Sequence, residues 1–345
     1  MKVLYQVNLD KPEGPGFVLQ QIRQALEDSG HELIYHYIPV RDPLAFDRAA
    51  SKQVVPCDLL VSGVGGSYYQ QLRAKRYGAK VLLTRFSPHH AFTQRVLAAH
   101  YAYFGRRVFG EGQLERALQE YPLADYHLVL SSQSKQTYVR EGIAADRVFV
   151  ANLGVDTDFF TECPMPDHTS APFRVLFIAT NAIRKGWRYL LPAWEQAFHD
   201  IEDVELIVKS SMELANLNPQ IRPITQWFDM DELRDLYHHV DITALPSIED
   251  GFGATVLESM ACGRLPIVTD VTGAADVVTD GSDGYIVPVA DVDALAEALY
   301  SCYADYMRTI AMGRCARETA ELHPWSRFRS DVIRAVNAIA KQKGL

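Results

Sequence analysis

Short runs of β-branched and aliphatic residues alternate with helix-length amphipathic stretches along this chain, and that alternation is what a parallel sheet built from βαβ units requires. Lys2–Val7, Glu32–Ile38, Asp58–Val61, Lys80–Thr84, Leu128–Leu130 and Val148–Ala151 are the predicted strands of a first sheet. Between the first two, Val18, Ile22, Ala25 and Leu26 share one helical face, and Ser29-Gly30-His31 puts a glycine where that helix should stop. The pattern then begins again, with strands predicted at Arg174–Ala179, Val204–Val208, Ile221–Ile224, Ile242–Leu245, Pro266–Thr269 and Gly284–Val287. The polar, proline-bearing stretch Thr161–Pro172 is the predicted link. A chain of 345 residues is also too long for one ordinary core and fits two domains of about 150–180 residues. The reading is therefore an α/β protein of two Rossmann-like, doubly wound domains. Ligands of such sheets sit beyond the carboxyl ends of the strands, so a central cleft is expected, with the motifs clustered just after strands.

Composition removes several other classes. No segment reaches the ~18 uninterrupted apolar residues of a spanning helix, and the N-terminus reads as a short buried strand rather than a signal peptide. A cytoplasmic protein is expected. Cys57, Cys163, Cys262, Cys302 and Cys315 are scattered singly, without metal-ligand spacing, and are expected to be reduced thiols. The net charge of −9 is uneven: residues 1–150 hold 18 Lys and Arg against 14 Asp and Glu, and the remainder hold 16 against 29. The basic excess of the first half makes a weak peripheral contact with an anionic membrane face a minor expectation. Basic residues neither run together nor interleave with aromatics, so nucleic acid is not an expected partner.

The most informative stretch runs from Leu245 through Pro-Ser-Ile-Glu-Asp-Gly-Phe-Gly-Ala-Thr-Val-Leu-Glu-Ser-Met-Ala-Cys to Gly263. It reads as a strand end, a glycine turn, and a helix that starts near Ala254 and buries Val256, Leu257, Met260 and Ala261. Gly251 and Gly253 let backbone N–H groups approach a ligand, and the helix N-terminus favours anionic or oxygen-rich groups. Asp250 sits in the turn. Glu258 lies one turn into the helix, where it can accept hydrogen bonds from a diol. Taken singly, Asp250 is equally a turn residue and Glu258 a solvated helix residue; the frame that joins them favours function.

This stretch resembles the signature of retaining glycosyltransferase family 4, PSxxEGFGxxxLEAMACGxPVV, in which two glutamates flank the donor sugar and its ribose. The resemblance implies a GT-B fold and a donor site that includes Asp250, Gly251, Phe252, Gly253, Ala254, Thr255 and Glu258. Asp250 stands where the family has glutamate, which draws its contact back by about one C–C bond, with Glu249 beside it. Asn152-Leu-Gly-Val-Asp-Thr-Asp-Phe159 is similar to the family's NGVDxxxF. Ile178-Ala-Thr-Asn-Ala-Ile-Arg-Lys-Gly186 resembles the loop that holds the donor diphosphate. Lys185 fits its lysine, and Arg184 substitutes for an arginine usually found just after the strand, where Thr180 and Asn181 stand. Without the family, such an Arg-Lys pair is an ordinary solvated loop; with a phosphate it is a clamp.

Further family-like positions complete the expected site. Lys209 ends a strand as the family's lysine does. Trp227 and Phe228, in Thr225-Gln-Trp-Phe228, stand where the family holds the base and are read either as stacking groups or as core. Thr269-Asp-Val-Thr-Gly-Ala-Ala-Asp-Val-Val278 resembles a T-x-x-G-G-x-x-E-x-V turn, with Asp276 again replacing glutamate. Gly14 and Gly16, in Lys11-Pro-Glu-Gly-Pro-Gly16, fit the glycine loop of the first domain, although without GxGxxG a plain turn is the alternative. Thr84-Arg-Phe-Ser-Pro-His-His90 is similar to an Arg…His segment of one bacterial branch of the family, so Arg85, His89 and His90 are acceptor-side candidates. The paired histidines lack a third ligand at metal spacing. The Asp-x-Asp triplets at Asp156, Asp229 and Asp291 precede helices or sit in the NGVD-like turn, where Asp is an ordinary cap.

The resulting expectation is a GT-B protein with an acceptor-side domain over 1–165, a nucleotide-sugar domain over 166–325 and a C-terminal helix over 326–345. That helix crosses back to the first domain on Val332, Ile333, Val336 and Ile339, and closure about the linker would exclude water from the sugar. The implied activity is a retaining, hexosyltransferase-type transfer from a nucleotide sugar, UDP- or GDP-linked, to an acceptor hydroxyl. No cofactor and no metal are expected. Asp250, Lys185, Arg184, His89 and His90 are the candidate catalytic residues. A nucleotide-sugar epimerase of similar shape and a non-catalytic glycosyltransferase-like binding protein are the alternatives.

Overall fold

The computed structural model describes residues 1–8, 15–166, 171–210, 218–226, 228–342 and 344. In it the apolar runs form two parallel sheets. The first contains β1 (Lys2–Val7), β2 (Glu32–Tyr37), β3 (Leu59–Gly63), β4 (Lys80–Thr84), β5 (Tyr126–Val129) and β6 (Val148–Val150), in the order β2-β1-β3-β4-β5-β6. The second contains β7 (Phe173–Ala179), β8 (Val204–Ser210), β9 (Ile221–Ile224), β10 (Ile242–Leu245), β11 (Leu265–Thr269) and β12 (Tyr285–Val287), in the order β12-β11-β10-β7-β8-β9. The pairings are parallel, with Tyr5 opposite both Tyr35 and Val61, and Ile242 opposite both Val175 and Leu265. Both are doubly wound sheets, as the alternation predicts. Each strand order reverses once, between β1 and β3 in the first sheet and between β7 and β10 in the second.

Contacts divide the chain into two units, one of residues 1–98, 104–153 and 325–345, the other of 99–103 and 154–324. The division therefore falls at Leu153 and Gly154, before the expected linker, and two arginines explain why. Arg317 donates to the carbonyls of Thr157, Phe160 and Ala261. Arg264, wholly buried, donates to the carbonyls of Tyr237, His238 and Pro164. Buried backbone carbonyls need donors, and these two side chains tie residues 157–164, which include the start of the polar stretch, to the second unit.

In the first unit Val18, Ile22, Ala25 and Leu26 are buried as predicted, on the helix Pro15–Asp28. The C-terminal helix Trp325–Gln342 belongs to the same unit and packs on that helix. Phe17 meets Trp325 edge-on at 5.0 Å, and Arg329 donates to Gln21 at 2.7 Å. Val332, Val336 and Ile339 are buried, with Ile333 at the margin. At about 1.5–3 kcal/mol for each fully buried aliphatic side chain, that face suffices to hold the helix as part of the fold. In the second unit Phe177, Leu190, Trp194, Phe198 and Leu206 lie in the core between β7, β8 and the helix Trp187–Phe198. Among the described residues no helix is long and apolar enough to cross a membrane. All five cysteines are free thiols, three of them buried.

Candidate functional site

Two loops meet at the switch point of the second sheet, one after β7 and one after β10. Gly186 shows how closely they approach. Its φ is +84°, and a Cβ there would lie 1.8 Å from the carbonyl oxygen of Pro246, so any side chain would force the loops apart. The Ile248 N–H donates to the Arg184 carbonyl at 2.9 Å, joining the loops as a strand pair would. Gly253, at φ +88°, then caps the helix Ala254–Ala261, and a Cβ on it would meet Leu245 Cδ2 at 2.8 Å.

This packing gathers four charges. Lys185 pairs with Asp250. Arg184 Nη1 lies 3.3 Å from Glu249 Oε2, and its Nη2 lies 3.6 Å from Asp250 Oδ1. Glu249 and Asp250 are both buried. Burial alone would raise the Asp250 carboxyl, but Lys185 and Arg184 outweigh it and hold the group below its ordinary value. Burial pushes the Lys185 ammonium down, against the pull of Asp250. Charges taken out of water in this way persist only when paired, and these are paired at the point where the fold places ligands.

Glu258 stands farther along the same helix, half-buried, and its Oε2 accepts from the Tyr237 hydroxyl at 2.8 Å. Burial raises its carboxyl above the ordinary range, and the Tyr237 hydrogen bond draws it partly back. Lys209 donates to the Gln226 carbonyl at 3.0 Å and lies 4.2 Å from the ring centre of Phe228. That ring therefore already has a cationic partner. Phe252 is buried, so its backbone faces the turn while its ring is core; its carbonyl accepts from the Ala274 N–H at 2.7 Å. Ala254 is exposed and Thr255 half-exposed at the start of the helix. Gly14 and Trp227 lie outside the described residues.

The first unit has a different opening at its own switch point. A cavity of about 280 Å³ lies beyond the ends of β1 and β3, lined by Gln6, Asn8, Phe46, Gly65, His90 and Phe109 among others. Gly16 is buried in the first turn of the helix Pro15–Asp28 in this unit. Of the three acceptor-side candidates, His90 reaches the cavity. Its Nδ1 lies 2.8 Å from the Tyr121 hydroxyl and its Nε2 2.8 Å from Arg85 Nη1, so both nitrogens are occupied. Arg85 cannot accept, which makes Nε2 the acceptor and puts the proton on Nδ1. His89 stacks on Tyr121, ring centres 3.9 Å apart, and its Nδ1 accepts from the Ala91 N–H. Burial lowers His89 to about 4 and His90 to about 2, with Arg85 adding to both. Both imidazoles are therefore neutral, with both nitrogens of His90 and Nδ1 of His89 engaged by neighbours, and of the two it is His90 that lines the cavity.

The Asp-x-Asp triplets cap. Asp229 forms a reciprocal capping box with Glu232, Asp291 accepts from the Ala294 N–H, and Asp156 accepts from the N–H groups of Asp158 and Phe159. Sequence reasoning missed two partners. Glu249 closes on Arg184, and Tyr237 orients Glu258; only the adjacency of Glu249 to Asp250 hinted at the first, and nothing local signalled the second.

Residues 172–305 match the family described as glycosyl transferases group 1. The chain is 26% identical over 227 residues to a D-inositol 3-phosphate glycosyltransferase of Pseudarthrobacter chlorophenolicus, covering 60% of this chain and 54% of that one. It is likewise 26% identical over 210 residues to a phosphatidyl-myo-inositol mannosyltransferase of Mycolicibacterium smegmatis, covering 58% and 54%. The matched stretch thus spans about half the length of these curated relatives. Among solved structures, HepE of Anabaena in complex with UDP and glucose superposes with a TM-score of 0.70 at 15% identity, over 98% of this chain and 100% of that one. Sucrose-phosphate synthase of Thermosynechococcus elongatus gives 0.70 at 17% identity, over 99% and 98%. At those identities the likeness shows the shared fold, the two-domain GT-B architecture.

Proposed function

We propose, from the match of residues 172–305 to the group 1 glycosyltransferases and from the GT-B fold, that this chain transfers a sugar, with retention and without a metal, from a nucleotide sugar to an acceptor hydroxyl. The observation that carries this reading is the quartet of half-buried Arg184 and Lys185 with buried Glu249 and Asp250 at the switch point of the second sheet. Loss of a diphosphate leaves negative charge on the leaving group and positive character on the sugar. Lys185 and Arg184, with the N–H groups at the start of the helix Ala254–Ala261, stabilise the first of these charges. Asp250 contacts the donor sugar and Glu258 accepts from its ribose. No second carboxylate is set for a double displacement of the glycosidase kind, so the acceptor hydroxyl attacks from the face the diphosphate leaves, and the departing phosphate takes its proton.

The donor is a UDP- or GDP-sugar, a choice supported by the UDP that HepE binds. Thermal shift and saturation-transfer NMR across UDP-, GDP- and ADP-sugars should single out one base, and turnover of that donor should persist in excess EDTA. A complete loss of activity that magnesium restores would overturn the metal-free reading. A binding protein without turnover is the second reading, favoured by the fact that both cations already have carboxylate partners. Detectable hydrolysis or transfer from any nucleotide sugar would dismiss it.

A further inference from the structure

Glu249 precedes the carboxylate to which the donor-site reading gives a role, and that reading assigns Glu249 none. Its side chain is only 1% exposed, against 24% for Arg184, and it faces that guanidinium at 3.3 Å. The backbone of Arg184 is fixed from both sides: its N–H donates to Asn181 Oδ1 at 3.2 Å, and its carbonyl accepts from Ile248. What remains to be set is the side chain. A long arginine side chain has much rotamer freedom to lose, and a buried carboxylate at its tip removes that freedom before any ligand arrives. A guanidinium has five N–H donors, more than its contacts with Glu249 and Asp250 engage.

We infer that Glu249 is a positioning residue: it holds Arg184 in the orientation from which the remaining N–H groups meet a diphosphate anchored on Lys185. This rests on the donor-site reading above. Glu249 acts through Arg184 and does not touch the ligand. With two cations and two carboxylates, the quartet carries no net formal charge, so the attraction for a diphosphate comes from where the N–H groups point rather than from an excess of positive charge. Position therefore matters more here than the number of charges.

The test is calorimetric titration of the intact chain with UDP and with inorganic pyrophosphate, which reports the diphosphate contact whatever base the donor carries. Glu249→Ala is expected to weaken both ligands about tenfold, the scale of one charge-assisted hydrogen bond lost to disorder. Glu249→Gln keeps the length and an acceptor oxygen and should stay within about twofold of the parent or bind more tightly, since it removes a negative charge. The deciding measurement is Glu249→Ala in an Arg184→Ala background, where it should have no further effect. Melting curves accompany each variant; if Glu249→Ala does not fold, Glu249→Gln still decides, because a tenfold loss there would contradict a role that needs only the acceptor. Tighter pyrophosphate binding by Glu249→Ala would overturn the inference, showing that Glu249 restrains Arg184 from the ligand. An equal loss with and without Arg184 would also overturn it. If Lys185→Ala weakens UDP and Arg184→Ala does not, this inference fails alone; if neither matters, the donor-site reading fails with it.

Discussion

The two switch points of this molecule share a topology and differ in chemistry. Both lie where a parallel sheet reverses its strand order, yet the one between β7 and β10 holds four paired charges, while the one between β1 and β3 opens onto glycine backbone, aromatic rings, amides and a neutral imidazole. The fold supplies a crevice in each case and the side chains decide what it can bind. Gross charge would have pointed the other way. The half of the sequence with a basic excess carries the cavity, whose lining among the described residues includes no Lys or Arg, whereas the acidic half carries the cation pair suited to a diphosphate. Net charge describes the solvated surface; a site is made by the few charges that packing takes out of water.

The strongest way to break the comparison is to remove the charge that defines the second switch point. Lys185→Met leaves buried Asp250 facing Arg184 alone. A buried charge left without any partner costs about 3–5 kcal/mol; with Arg184 still 3.6 Å from Asp250 the loss in stability should fall below that, which urea denaturation will read, and UDP binding should fall by more than about a hundredfold as two charge-assisted contacts are lost. Lys185→Met with Asp250→Asn should regain stability without regaining affinity. A Lys185→Met variant that binds UDP like the parent would show that charge is not what separates the two openings.

A smaller effect sharpens the contrast through pH. Glu258→Gln should weaken nucleotide binding by about 1–3 kcal/mol, the scale for a hydrogen bond to a charged acceptor. Burial holds the Glu258 carboxyl above 4.5, so the carboxylate is lost, and binding with it, as the pH falls through that raised value. Tyr237 pulls the value down, so Tyr237→Phe should move the acid limb of UDP binding to higher pH. The sign for folding is opposite: ionising a carboxyl whose value is raised costs stability, so its contribution is present at acid pH and is lost as the pH rises. His89 and His90, lowered to about 4 and about 2, remain neutral above pH 5; in the first unit it is Glu120, pushed up to about 7 by burial, that titrates between pH 5 and 8, away from the charges of the second switch point. An acid limb that does not respond to Tyr237→Phe would assign it to another group.

Much of this contrast was legible in the sequence because it is local. Apolar runs gave the strands to within a few residues, and the faces read from Val18 to Leu26 and from Val256 to Ala261 are buried. Lys185, Asp250 and Glu258 stand after β7 and β10, where the glycine turn and the family resemblance place them in the sequence, and Lys185 and Asp250 meet there. The rest depends on pairs that no periodicity encodes. Arg184 and Glu249 are 65 positions apart, Tyr237 and Glu258 are 21 apart, and each pair meets only once the sheet has formed. The early unit boundary has the same origin: Arg264 and Arg317 reach back to carbonyls at Pro164 and Thr157, which a polar linker composition does not reveal. The contacts of His90 with Tyr121 and Arg85 are tertiary in the same way, and nothing in the Arg85–His90 segment signals the Tyr121 partner.

The mildest test sets one glycine against its counterpart in the other opening. Gly65, at the cavity of the first unit, has φ +97° and no atom within 4 Å of a would-be Cβ, so Gly65→Ala meets backbone strain and nothing else, about 1–2 kcal/mol. Its N–H donates to Glu120 Oε2 at 2.6 Å, and Ser67 gives the same side chain its N–H and hydroxyl; burial pushes Glu120 up to about 7, so the variant is compared with the parent at about pH 8, where the carboxylate and these contacts are in place. Gly253 has a similar φ, +88°, but its Cβ would press on Leu245 at 2.8 Å and stand 3.4 Å from Asp250 Oδ2. The two substitutions therefore impose like strain with unlike consequences. Gly253→Ala should displace the turn that carries Asp250 and weaken UDP as well as stability, whereas Gly65→Ala should lower the melting temperature by a few degrees and leave UDP affinity within about twofold of the parent, because strain alone does not reach the charges that hold a diphosphate. A tenfold loss of UDP affinity on Gly65→Ala would mean that the uncharged opening contributes to nucleotide binding after all, and the division of labour between the two switch points would have to be redrawn.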